Sequence, residues 1–123
     1  MKFGLDVHGV IDTNPAFFAI YTKALVDAGH ELHILTGPKR SVVEPYLKEH
    51  GIVFTHFFSI VESADPFKVR WEDKDNPWLD TEQWNRAKAK YCIENEIDLH
   101  VDDSDVYGTY FKTPYARFYS KDK

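Results

Sequence analysis

The chain has only one cysteine, Cys92, so no intrachain disulfide can form, and no Cys/His spacing resembles a zinc site. It has no run of about 18 apolar residues that could span a bilayer. Met1 leads directly into a strand pattern, without the basic segment and apolar stretch of a secretion signal. These absences point to a soluble, unsecreted protein in a reducing cytoplasm, with no membrane partner. No lysine- or arginine-rich stripe is present and the formal net charge is −5, so long nucleic acid is an unlikely partner. Internal repeats and low-complexity segments are also missing.

What is present suits one globular domain over 1–123. The chain is 123 residues long, 43% hydrophobic and 15% aromatic, enough for one core but not two. Phe3-Gly4-Leu5-Asp6 reads as a strand that ends on a carboxylate and turns at Gly9. Asn14-Pro15 supplies a helix cap and a first-turn proline, and Phe17, Phe18, Tyr21, Leu25 and Ala28 recur at helical spacing as far as Gly29. His30 to Leu35 forms a second strand closed by Thr36-Gly37-Pro38. Ser41 and Glu44 have capping-box spacing for a helix ending at His50-Gly51, with Pro45 near its first turn. A third strand is expected over 52–58 and an irregular insertion over about 60–79. Asp80 then caps a helix through about Asn95, and Ile97 to Val101 is a strand leading into Asp102-Asp103-Ser104. A short helical segment near 106–111 and a strand over 115–119 complete the pattern. Such alternation predicts a three-layer α/β/α, Rossmann-like domain with a mostly parallel five-stranded sheet.

In open sheets of this kind, ligands bind beyond the carboxyl ends of the strands. The residues at those ends are Asp6, Thr36-Gly37, Asp102 and Asp103. Carboxylates from two strand ends form a hard oxygen site suited to Mg²⁺, which binds one or two protein carboxylates together with phosphate oxygens. The Thr36 hydroxyl and nearby backbone N–H groups can bind the same phosphate. At about 100° per residue, Trp84, Ala87, Tyr91 and Cys92 define an apolar arc that contains Lys88, while Lys90 points away. A lysine on that buried side needs acidic partners, and Asp102 or Asp103 can supply them. His30, His33, His50, His56 and His100 are scattered without ligand spacing and read as surface or satisfied positions. Cys92 reads as a small core residue. Lys39, Arg40, Lys68, Arg70 and Arg117 are candidates for holding the rest of an anionic substrate, with Arg70 preferred. Trp71 and Trp78 are candidates to cover the site's mouth.

Four ordered motifs resemble those of haloacid dehalogenase (HAD)-type hydrolases, a family dominated by Mg²⁺-dependent phosphatases. They are Asp6-Val7-His8-Gly9-Val10-Ile11-Asp12, Ile34-Leu35-Thr36-Gly37, the helix lysine Lys88, and His100-Val101-Asp102-Asp103-Ser104. The resemblance implies a small, capless phosphatase-type member with strand order 3-2-1-4-5. It makes Asp6 the nucleophile that forms an aspartyl-phosphate. Asp6, the main-chain carbonyl of His8 and an acid of the fourth motif, Asp103 in preference to Asp102, would hold Mg²⁺. Asp102 would orient Lys88 or a bound water, and Thr36, Gly37 and Lys88 would hold the phosphoryl group. The partner is then a phosphorylated substrate. An open, capless site accommodates macromolecules, or small substrates enclosed by a second subunit of a homo-oligomer.

The chain departs from the family at His8, where the second aspartate normally protonates the leaving group. Imidazole can do general acid–base work near neutral pH, and Asp12 reads as part of the turn. The expectation is therefore a phosphomonoesterase with catalytic residues Asp6 and His8. The alternative is a metal- and phosphate-binding domain with little or no turnover. A phosphoacceptor receiver domain fits less well, because its acid pair closes the first strand and its lysine comes last. Here only Lys112-Thr113-Pro114 echoes that lysine.

Overall fold

A computed structural model describes residues 1–64, 70–73, 76–78, 81–105 and 109–120, with 70–73, 76–78 and 81 described by their backbone only. In chain order the elements are β1 (Lys2–Leu5), α1 (Pro15–Asp27), β2 (Glu31–Thr36), α2 (Arg40–Glu49), β3 (His56–Ser59) and α3 (Ile60–Ser63). They continue as β4 (Arg70–Asp73), β5 (Asn76–Trp78), α4 (Thr81–Glu94), β6 (Leu99–Asp102) and β7 (Tyr115–Arg117). Five strands form one all-parallel sheet in the order β3-β2-β1-β6-β7. With β4 and β5, which pair separately, set aside, this is the expected 3-2-1-4-5. No described helix is long and apolar enough to cross a membrane.

Parallel strands need crossovers, and the crossovers cover both faces of the sheet. On one face Leu32 and Ile34 of β2 pack with Leu5, Phe18 of α1, and Val43 and Leu47 of α2. On the other, Leu35 packs with Cys92 of α4 and Ile97, flanked by Phe58, Tyr91 and Phe111. Cys92 is buried there, as its position on the apolar arc suggested. α1 starts as expected: the Asn14 side chain accepts from the Phe17 N–H at 3.2 Å, and Pro15 occupies the first turn. Its buried side is Phe18 and Thr22, whereas Phe17 and Ala28 face outward.

Several local expectations change. The Ser41/Glu44 capping box does not form. α2 begins at Arg40, whose N–H donates to Glu62 of α3, while Glu44 is held by Arg40 at 2.6 Å and Lys48 at 3.3 Å. Two ion pairs one turn away outcompete a cap on Ser41. The third strand is shorter than expected because the Ile52 N–H bonds back to the Leu47 carbonyl of α2 at 2.9 Å and the Val53 N–H donates to the Thr22 hydroxyl at 3.1 Å, and Thr55 closes the strand start against Leu32. The span expected to be irregular holds α3, capped by the Ser59 hydroxyl, and an antiparallel β4–β5 pair. Asp80, Phe67, Lys68, residues 106–108 and the side chains of Arg70, Trp71 and Trp78 lie outside what is described. Thr109 and Tyr110 form a turn.

One glycine couples the fold to the strand ends. Gly4 pairs in register with His100 of β6, and a Cβ on Gly4 would lie 2.6 Å from His100 Nδ1. The ring cannot yield easily, because it stacks on Phe111 at 5.2 Å and bonds Asp102 through Nε2. Gly4→Ala is expected to destabilise the protein by about 1–3 kcal/mol, seen as a lower urea midpoint at unchanged slope. An unchanged midpoint would show that the ring has room.

Candidate active site

The chain leaves β1 at Asp6, whose N–H still donates to the Val101 carbonyl at 3.0 Å, so the carboxylate is fixed at the end of the sheet. Gly9 then takes a positive φ of 86°, a conformation that favours glycine, and its N–H donates to Asp12 Oδ1 at 2.7 Å. Asp12 thereby closes the turn. Across the sheet, β6 carries His100 and Asp102 two residues apart and so on the same side of the strand.

α4 brings Lys88 to both strand ends, on the sheet-facing side as the helix phase predicted. Its ammonium donates to Asp6 Oδ1 at 2.9 Å and to Asp102 Oδ2 at 2.8 Å, and the lysine side chain is only 3% exposed. His100 Nε2 lies 2.9 Å from the same Asp102 oxygen, and the Ser104 N–H donates to Asp102 Oδ1 at 3.2 Å. Asp103 completes the group: Asp6, Asp102 and Asp103 each offer an oxygen within 4.8 Å of the others. An all-oxygen set of this kind suits a hard divalent cation.

Burial sets the electrostatics. It raises the Asp6 carboxyl to about 7, with Lys88 pulling it down and Asp102 pushing it up. Burial would raise Asp102 too, but the His100 hydrogen bond and the Lys88 charge hold it at about 2. Burial also lowers His100, which keeps the imidazole neutral, so Nε2 carries the proton donated to Asp102. Burial alone would lower the Lys88 ammonium, yet the two carboxylates raise it. The two acids thus differ in role: Asp102 is a fixed anion, and Asp6 is an anion held at a cost.

On the adjacent strand, Thr36 is fully buried and its hydroxyl has no partner among the described residues. A buried hydroxyl left unpaired costs about 1–3 kcal/mol, a cost that a ligand oxygen within reach would offset. Gly37 follows it under Trp84; a Cβ there would lie 2.5 Å from the indole. The Gly37 carbonyl accepts from the Ser59 hydroxyl and the Val61 N–H, each at 3.2 Å, which ties the loop to α3.

The structure therefore brings Asp6, Lys88, Asp102 and Asp103 together beside Thr36-Gly37. It does not bring in the His8 side chain, which is 65% exposed with Nδ1 3.5 Å from Asp12 Oδ2. Arg40 is engaged by Glu44, and Arg117 reaches Asp105 and the Asp103 carbonyl. Sequence reasoning passed over His100. The available signal was its place two residues before Asp102, opposite a glycine in the neighbouring strand. Compared with known proteins, the chain matches no family model and no curated sequence.

Lys88→Met leaves two buried carboxylates uncompensated and is expected to destabilise the protein by about 3–5 kcal/mol in chemical unfolding. A pH test separates the two acids. Because the Asp6 pKa is raised in the fold, its ionisation removes stability as pH rises from 3.8 to about 7. Asp6→Asn is therefore expected to gain stability relative to the wild type across that window. Parallel curves for the two proteins would contradict the raised pKa.

Proposed function

We propose that the chain is a Mg²⁺-dependent phosphohydrolase of the HAD-like, Rossmann-like class, acting on phosphomonoesters through an aspartyl-phosphate on Asp6. The observation that carries this reading is a buried carboxylate at the end of a central parallel strand, held 2.9 Å from a buried ammonium. The four ordered motifs and the orphan Thr36 hydroxyl support it.

In this reading a carboxylate oxygen of Asp6 attacks phosphorus in line with the leaving oxygen, and the ester P–O bond breaks. Lys88 keeps Asp6 aimed and offsets charge on the transferring oxygens, while the Thr36 hydroxyl donates to one of them. Water then attacks phosphorus, releasing phosphate and restoring the carboxylate. Asp6, Asp103 and the His8 carbonyl would hold the cation, with Asp102 reserved for Lys88. When bound, Mg²⁺ screens the repulsion between carboxylate and phosphate and polarises a phosphoryl oxygen.

A second reading, a metal- and phosphate-binding domain with little turnover, is favoured by one observation: the His8 ring faces solvent and Asp12. Without a working acid, only leaving groups that need no proton depart readily. In Mg²⁺ the wild type is expected to hydrolyse activated aryl phosphates, and to lose that activity with EDTA or in Asp6→Asn. His8→Asp is expected to raise alkyl phosphate turnover by about 10²–10⁴-fold. No turnover of either class, in wild type and His8→Asp alike, would overturn the enzyme reading.

A further inference from the structure

Away from the strand ends, β2 and β3 bring a second set of ligand-type side chains together. Glu31 and His33 lie two residues apart on β2 and share one side of the strand. His56 of β3 pairs in register with His33. His33 Nε2 lies 2.9 Å from Glu31 Oε1, and His56 Nδ1 lies 3.7 Å from the same oxygen. The two imidazoles are stacked, with centroids 4.1 Å apart.

We propose that Glu31, His33 and His56 form a binding site for a divalent first-row transition metal of the Zn²⁺ type. It is independent of the acidic site beyond β1 and β6. The donor chemistry is two imidazoles and one carboxylate, which suits such metals rather than Mg²⁺. The spacing fits as well. Ligand atoms about 2.0–2.1 Å from a tetrahedral ion stand roughly 3.3–3.4 Å from one another, and the observed 2.9 and 3.7 Å bracket that edge. Three protein ligands leave a fourth position for water.

An outer partner is already in place. The Tyr91 hydroxyl of α4 lies 2.6 Å from His33 Nδ1. A metal on Nε2 displaces the proton shared with Glu31, and Nδ1–H then donates to the Tyr91 oxygen, which fixes the ring as metal-bound histidines require. His33 is buried and Tyr91 holds it, so the adjustment falls on His56. That side chain is 48% exposed, and it exchanges its 2.8 Å contact with Thr55 Oγ1 for the metal by tilting out of the stack.

The test is a Zn²⁺ titration of the untagged full chain against a chromophoric chelator in excess Mg²⁺, with Co²⁺ absorption as a geometric readout. His33 is a core residue whose loss confounds folding, so the decisive variants are His56→Ala and Glu31→Gln, with thermal unfolding as a check. One Zn²⁺ equivalent is expected to bind at micromolar concentration or tighter, with a tetrahedral Co²⁺ band. Tyr91→Phe should weaken it by about 10–100-fold, His56→Ala and Glu31→Gln by more, and Asp6→Asn not at all. Three results would overturn the site: no Zn²⁺ binding at micromolar concentration, binding indifferent to His56→Ala and Glu31→Gln, or binding lost in Asp6→Asn.

Discussion

A lysine ammonium buried between two carboxylates is the constraint on which the rest of the structure depends. Lys88 reaches 2.9 and 2.8 Å from Asp6 and Asp102, and all three side chains are buried. Such a group survives only when the ammonium is present and aimed, since removing it leaves two carboxylates unpaired in low dielectric. That condition explains why α4 must present Lys88 in one phase, why β1 and β6 must lie side by side, and why Gly4 must leave room for His100 behind Asp102. The same network carries one negative charge in excess, concentrated on Asp6.

The parallel sheet and the strand-end places of Asp6, Thr36 and Asp102 were legible because alternation and strand-end chemistry are encoded in short local patterns, whereas the strand order came from the family resemblance and not from any local pattern. Lys88 was legible because helix phase is rigid over two turns. His100 was not, because a histidine two places from an aspartate is ordinary in sequence and becomes a hydrogen-bonded partner only when a glycine on the neighbouring strand makes space. Glu31, His33 and His56 escaped for a related reason. Their proximity is created by the register of β2 against β3, which no spacing within either strand reveals. The capping box failed where one tertiary partner, Glu62 for the Arg40 N–H, and two partners within α2, Arg40 and Lys48 for Glu44, took the groups that the cap needed.

β2 links the two clusters. Its inner residues alternate between the two cores, its end offers Thr36 to the acidic site, and its start offers Glu31 and His33 to the other. At about 3.3 Å per residue, three residues of one strand separate His33 from Thr36 by roughly 10 Å.

The central claim is that Asp6 is a nucleophile rather than a structural anion, and acid quenching during turnover tests it most directly. After rapid mixing with an activated aryl phosphate and Mg²⁺, the peptide containing Asp6 is expected to carry a phosphoryl group that hydroxylamine removes. Substrate turnover under the same quench with that peptide unmodified, or with the phosphoryl group on another residue, would contradict the account.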